Sequence, residues 1–398
     1  MNKAKGFGLI EIIIIIVVTA LVTSITTGVI MLNNTNIEVD GNVINLEKDK
    51  NLQEFISVYK TILEKYYDSN IDKKGMLTAA EEAMLNFLGD KYTTYLNDKE
   101  YQDILDDLSG TYNGIGIYIK VNEVIDVIKN SPAEKAGIMK NDIIIEIDGA
   151  DVQEATADQI KELIKNDGKN DIDLKINRNG SILNFKISKE TLVNPSISYS
   201  IIENTNIGYI AIEKFSENLG TQVKNALNEL ETKNINSLII DVRDNAGGYL
   251  TSAEDVSNLF LKNGKTIYSL EANGSKVSYN DKTDEHRDYP IVVLINGGSA
   301  SAAEILAAAL KDSYGATLVG AKTYGKGKVQ QVVSLNSGDS VKYTSAKWLT
   351  PLGICIDGVG ISPDYNVEFS LESEIDSQLE KAIELLKWGN ICIISGIR

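Results

Sequence analysis

The chain has 398 residues, of which one is histidine (His286) and two are cysteine (Cys355 and Cys392), an inventory that excludes a zinc site of several Cys and His ligands and a disulfide scaffold. With 39 Lys plus Arg against 56 Asp plus Glu, the net charge of −17 argues against nucleic-acid binding. A Ser-His-Asp triad survives only through His286, and the length suits about two or three domains.

Lys3 and Lys5 precede an apolar run from Ile12 to Leu32, long enough to cross a hydrocarbon core of about 30 Å as a helix. The lysines belong on the cytoplasmic side. The run exceeds the apolar region of a cleaved signal peptide and has no Ala-x-Ala at its end. Residues 1–11 are therefore read as a cytoplasmic N-terminus, 12–32 as a retained transmembrane anchor, and the rest as extracytoplasmic, at the cell membrane in a single pass. Lys5-Gly6-Phe7-Gly8-Leu9-Ile10-Glu11 also resembles the processing signature of type IV prepilins, a reading that requires a mature chain starting at Phe7; nothing downstream resembles a pilin.

Residues 33–105 read as a helical region. Leu52, Phe55, Ile56, Tyr59, Ile62, Leu63, Tyr66 and Tyr67 recur at helical spacing, and Met76, Leu77, Ala80, Met84, Leu85 and Leu88 repeat the pattern. The expectation is packed amphipathic helices, whose apolar faces would also suit a homodimer interface.

Over residues 106–190 the rhythm changes to short strands, at 115–121, 124–128, 142–147, 172–177 and 182–187, with one helix at 158–165. Gly114-Ile115-Gly116-Ile117 offers a turn with consecutive exposed N–H groups, which capture of a terminal carboxylate requires. With Ser131-Pro132-Ala133-Glu134-Lys135-Ala136-Gly137 and Asp142-Ile143-Ile144-Ile145-Glu146-Ile147-Asp148-Gly149 downstream, the module resembles a PDZ domain. The resemblance implies that a peptide C-terminus adds as a strand beside Ile115–Ile119 with its carboxylate on the loop amides.

Residues 191–398 alternate strand and helix: strands at 207–212, 238–242, 291–295 and 318–320, helices at 221–230, 253–261 and 302–310. This pattern argues an α/β domain with an open, largely parallel sheet. Asn296-Gly297-Gly298-Ser299-Ala300-Ser301-Ala302-Ala303-Glu304 turns from a strand into a helix, where a serine hydroxyl meets the positive helix end and the next amide can bind an oxyanion. A serine there also suits a simple N-cap. Gly320 to Lys326 has Walker A spacing, but Gly327 stands where a magnesium-binding Ser or Thr belongs and Lys328 to Leu335 reads as a strand; a phosphate loop must open a helix, so nucleotide binding is rejected.

A lysine can serve as the base for a serine if burial lowers its pKa from about 10.4 toward 7–8, and Gly325 and Gly327 would let its backbone sit close to its surroundings. The Ser-Ala-Ser-Ala-x-Glu helix start, Tyr324-Gly325-Lys326-Gly327-Lys328-Val329-Gln330-Gln331, Asp241-Val242-Arg243-Asp244-Asn245-Ala246-Gly247-Gly248, Leu88-Gly89-Asp90-Lys91-Tyr92-Thr93-Thr94-Tyr95 and Asp357-Gly358-Val359-Gly360-Ile361-Ser362-Pro363-Asp364 together resemble the carboxy-terminal processing peptidases, or tail-specific proteases. The resemblance runs from about Phe55 to Asp364. It implies an α/β, crotonase-like serine protease core with an inserted PDZ domain, acting on proteins or peptides with accessible C-termini and needing no metal or cofactor.

Carried over by position, the resemblance makes Ser301 the nucleophile, Lys326 the general base and Gln330 its orienting partner. It puts the oxyanion hole at the amides of Ala302 and of Gly247 or Gly248. Ser299 is the rival nucleophile, and Ala303 departs from the serine the family often carries. His286, inside the polar run Asp281–Asp288, reads as a surface residue. Rival functions are a catalytically silent PDZ scaffold and an esterase or amidase for small acyl substrates. The apolar tail from Asn390 to Arg398 lies beyond the resemblance.

Overall fold

A computed structural model describes residues 36–39, 42–165, 168–369 and 375–395; the apolar run Ile12–Leu32 lies outside them. Among the described residues no helix is long and apolar enough to cross a membrane. Contacts divide the chain into two units, Met1–Glu81 and Glu82–Arg398.

The first unit has a small hairpin of Asn36–Val39 with Asn42–Asn45, helix α1 (Lys50–Lys65) and the start of α2 (Lys73–Phe87). Asp49 caps α1 by accepting Leu52 N–H at 2.9 Å. The helical repeat is where the sequence puts it, but the expected packing is not. No residue of either helix is buried, and Phe55, Ile56 and Val58 are 44%, 46% and 56% exposed. The described part of the unit supplies no second layer to cover the apolar face of α1.

The second unit opens with β1 (Thr94–Leu96) and α3 (Asp98–Ser109). Asn97 and Glu100 form a reciprocal capping box at the start of α3, and Gly110 ends it at φ 68°. The PDZ-like module follows: β2 (Ile117–Lys120), β3 (Glu123–Val127), α4 (Pro132–Ala136), β4 (Ile143–Ile147), α5 (Ala157–Lys165), β5 (Asp171–Arg178) and β6 (Ser181–Ser188). These strands form an antiparallel sheet in the order β6-β5-β4-β3-β2. Val124, Ile144, Ile160, Leu174 and Ile176 fill its core. On either side of the module, Thr111–Gly114 and Glu190–Val193 pair antiparallel, so its two ends leave side by side, as an insertion into another domain requires.

The remainder begins with β7 (Ile197–Ile201), β8 (Ile207–Ile212), α6 (Leu219–Thr232), β9 (Ser237–Asp241), α7 (Leu250–Ser257), β10 (Thr266–Ala272) and β11 (Ser275–Asn280). It continues with β12 (Ile291–Ile295), α8 (Ala302–Ala309), β13 (Thr317–Gly320), β14 (Lys328–Ser334), β15 (Ser340–Leu349), β16 (Tyr365–Asn366) and α9 (Ser377–Ser395). One sheet runs β7-β8-β9-β12-β13-β16, parallel except for β7. Its inner strands β9 and β12 are buried on both faces, which explains their unbroken apolar sequences, while the edge strands β7 and β16 are largely exposed. Leu238, Ile240, Val293 and Ile295 face α6, α7 and α8, while Ile239, Val292, Leu294 and Val319 face Ala382, Ile383 and Leu386 of α9. The tail beginning at Asn390 thus starts inside α9. A second, antiparallel sheet, β11-β10-β15-β14 with β1 on β15, goes beyond the expectation of a single open sheet.

Candidate functional site

β12 delivers its chain into the turn Asn296–Ser301. Gly298 passes so close to Asp244 that a Cβ would lie 2.7 Å from the Asp244 Cα. Ser299 is fully buried; its Oγ donates to the Val242 carbonyl at 2.7 Å and accepts Asn296 N–H at 3.0 Å. That hydroxyl stitches the turn to the end of β9 and does not reach solvent, which removes Ser299 as a nucleophile. The next serine differs. Ser301 is half-buried, immediately precedes α8 and holds φ 56° and ψ −118°, a backbone that costs a non-glycine residue about 1–3 kcal/mol and clusters at active sites. A strained serine between strand and helix is the geometry of a nucleophile elbow.

Lys326 sits in the loop between β13 and β14. Both flanking glycines are required. Gly325 has φ 86°, and a Cβ there would lie 2.7 Å from Gly360 N. At Gly327 a Cβ would lie 2.7 Å from Asp357 N. Trp348 Nε1–H holds the Lys326 carbonyl at 2.8 Å. Burial pushes the Lys326 amine below its ordinary value and nearby Lys342 and Lys91 push the same way, while Tyr324 and Glu304 oppose them. Its Nζ lies 5.1 Å from the Tyr92 ring centroid. Among the described residues that amine has no hydrogen-bond partner, so Gln330 makes no hydrogen bond to it here; Gln330 Nε2 instead donates to Thr344 Oγ1 at 3.4 Å.

The two segments are joined by Glu304, in the first turn of α8 and fully buried. Its Oε2 accepts Ser301 N–H and Lys326 N–H, each at 2.9 Å. Its Oε1 accepts Gly325 N–H at 2.8 Å and Thr323 Oγ1–H at 2.6 Å. Four donors offset the cost of burying a carboxylate. The backbones of Ser301 and Lys326 are thereby fixed with their nitrogens no more than about 6 Å apart, within reach of one lysine side chain.

The glycine loop after β9 lies against this turn: a Cβ on Gly247 would come 2.9 Å from Ser301 Cβ and 3.0 Å from Ala302 N. Gly247 N–H is committed to Asn245 Oδ1 at 2.8 Å. Gly248 N–H has no acceptor among the described residues. At φ 150° its backbone is pressed on Phe215, whose carbonyl oxygen would lie 2.3 Å from a Cβ. Ala302 opens α8, so its N–H has no intrahelical acceptor. The choice between the two glycines therefore narrows to Gly248.

A model of peptidase family S41 matches residues 206–367, and a PDZ-domain model matches residues 123–178. The chain is 34% identical over 365 residues to the carboxy-terminal processing protease CtpA of Bacillus subtilis strain 168, covering 90% of this chain and 77% of that one. It is 36% identical over 328 residues to CtpB of the same strain (80% and 68%), and 32% identical over 360 residues to a probable CtpA-like serine protease of Staphylococcus epidermidis (89% and 71%). The chain belongs to the carboxy-terminal processing serine proteases of family S41.

In this S41 protease the PDZ glycine loop is narrower than the sequence suggests. Gly114 is committed to the ladder with Glu190, and Ile117 begins β2. Between them Ile115 and Gly116 turn their carbonyls inward: Ile115 O accepts Ala133 N–H at 2.8 Å, and Gly116 O accepts Ile128 N–H at 3.0 Å. Their own N–H groups have no acceptor among the described residues, and β2 is the edge strand beside them. Open amides next to an open edge suit β-augmentation by a chain end. Far along the chain, His286 is exposed, with Nδ1 3.3 Å from Asp284 O and Nε2 3.5 Å from Asp288. Glu304 is the residue sequence reasoning passed over. Its bond to Ser301 N–H is the local Ser-x-x-Glu contact of the quoted helix-start motif, but its other three donors lie 19 to 22 residues downstream and no local pattern announces them.

Proposed function

We propose that Ser301 and Lys326 form the catalytic dyad of this protease. The observation that carries the reading is Glu304, whose one oxygen holds the backbones of both residues. The Ser301 Oγ–H proton passes to Lys326 Nζ as Oγ bonds to the scissile carbonyl carbon. The oxyanion is received by the N–H groups of Ala302 and Gly248. Collapse breaks the C–N bond, and the Lys326 ammonium returns its proton to the leaving amine. Lys326 then takes a proton from water as the water oxygen bonds to the acyl carbon, and returns it to Ser301 Oγ as the ester C–O bond breaks. In the free enzyme Nζ rests beside Tyr92; a rotation of its side chain brings it to Oγ, in keeping with the looser contacts of unliganded sites. Gln330 then orients the amine.

The PDZ module holds the substrate's C-terminus on Ile115 and Gly116, and the core cuts near that end. Residues 12–32 anchor the enzyme, leaving the site extracytoplasmic, and the uncovered face of α1 pairs two copies. The test is hydrolysis of a quenched peptide with a free C-terminus. Ser301→Ala and Lys326→Ala fold normally and lose activity by at least about 10³-fold. Full activity in either variant ends the reading.

A further inference from the structure

The segment Leu88–Tyr95 has no part in the chemistry above, yet Tyr92 is the ring beside which Lys326 rests. The same ring has Lys328 Nζ 5.8 Å from its centroid, so the two amines are no more than about 11 Å apart, close enough for charge to be felt between them. Lys328 is not a free cation. Its Nζ donates to Asp90 Oδ1 at 3.1 Å, and the Asp90 side chain is only 14% exposed. Asp90 Oδ2 accepts Thr93 Oγ1–H at 2.8 Å and also Thr344 Oγ1–H.

The last bond has a directional consequence. A threonine hydroxyl has one proton, and Thr344 gives it to Asp90. Toward Gln330, Thr344 can therefore only accept, which fixes the Gln330 amide with Nε2 toward Thr344 and leaves Oε1 as the end available to another donor. An amide oxygen is what a lysine base needs from an orienting partner.

We propose that Asp90 is a positioning residue for Lys326: it neutralises Lys328 beside the Tyr92 ring and, through Thr344, sets which end of the Gln330 amide is open to the base. The proposal rests on the Ser301–Lys326 reading. Other charged or titratable groups near Lys326 are Lys91 and Tyr92 from the same segment, Tyr324 from its own loop, Glu304 from α8 and Lys342 from β15. Asp90 itself stays ionised at working pH: burial opposes this, but hydrogen bonds from Thr344, Thr93 and Lys328 prevail and hold its carboxyl at about 2.

The signs follow from charge. Lys326 acts only as the free amine, so kcat/KM rises with pH along a limb set by its ionisation. Asp90→Asn leaves Lys328 uncompensated, disfavours a second ammonium at Lys326 and moves the limb to lower pH. Lys328→Met leaves Asp90 uncompensated and moves it to higher pH. In the double variant the two effects cancel.

The experiment is the pH profile of kcat/KM on a quenched peptide for these three variants, with Thr344→Val, Thr344→Ser and Lys326→Ala alongside. The two single charge variants are expected to shift the limb in opposite directions by about half a pH unit each, and the double variant to return it to the wild-type position. Thr344→Val, which keeps both charges, is expected to lower kcat about tenfold with the limb unmoved, and Thr344→Ser to restore it. A scaffold role alone would lower the plateau without opposed shifts. An unmoved limb in Asp90→Asn, or a shift of both single variants in one direction, overturns the proposal while an inactive Lys326→Ala leaves the dyad standing. Activity in Lys326→Ala overturns the dyad and the proposal together. If Asp90→Asn does not fold, Lys328→Met and Thr344→Val carry the same decision.

Discussion

Ser301 holds a backbone that few residues other than glycine adopt, and the strain persists because its N–H is tied to a buried carboxylate. Glu304→Gln keeps one oxygen but sets an amide NH2 against backbone N–H groups. At least one buried donor then loses its acceptor, at about 1–3 kcal/mol each. The expected outcome is a lower melting temperature and a fall in kcat of about tenfold or more, read by thermal melting and steady-state kinetics. His286→Ala is expected to leave kcat/KM within about twofold, since its ring touches only Asp284 and Asp288 on an exposed loop. Loss of activity there would reopen a histidine base. At this scale the sequence was legible where a motif is contiguous: the strand-to-helix turn at Ser301 and the glycine-flanked loop at Lys326 stand where it puts them. It was silent where a residue acts across tertiary distance: the 14-residue separation of Gln330 and Thr344 and the 254-residue separation of Asp90 and Thr344 have no local signature.

The Lys326 loop is held as a backbone object, so its failures should come from Cβ atoms. Gly325→Ala places a methyl 2.7 Å from Gly360 N at φ 86°, and the segment Asp357–Asp364 must move. About 2 kcal/mol of stability is expected to go, with kcat falling far more than KM rises because the proposed base is displaced and the PDZ module is not. An equal rise in KM would show that the loop also binds substrate. In the other domain, Gly116→Val would set a side chain against Ser131, whose Cβ lies 2.3 Å from the position of a first carbon. It is expected to raise KM for peptides with a free C-terminus and to leave kcat at saturation nearly unchanged. Strands buried on both faces, such as β9 and β12, declare themselves as apolar runs. In the second sheet β14 is also legible, as the strand after Lys326, but β11 is not: it is largely exposed and reads Ser-Lys-Val-Ser-Tyr-Asn. Its two hairpins, β10 with β11 and β14 with β15, are local; what has no local signature is that β15 joins them through β10 and also carries β1.

Taken whole, the molecule joins a PDZ module to a serine protease core, and its scarcity of histidine suits the amine base proposed above. The helices of the first unit show where a periodic pattern misleads: the period fixes the helix, but burial depends on what is present to cover it. The exposed Phe55, Ile56 and Val58 are expected to be covered by a second copy. Sedimentation should give a dimer that Phe55→Asp with Ile56→Asp converts to a monomer; a wild-type monomer would refute the pairing. The central claim is that Ser301 cuts with Lys326 as its base. It is tested most directly by intact mass spectrometry of a protein substrate with an accessible C-terminus, incubated with the wild type, Ser301→Ala and Lys326→Ala. Shortening from the C-terminal end by the wild type alone is the expected result, and equal shortening by either variant would contradict it.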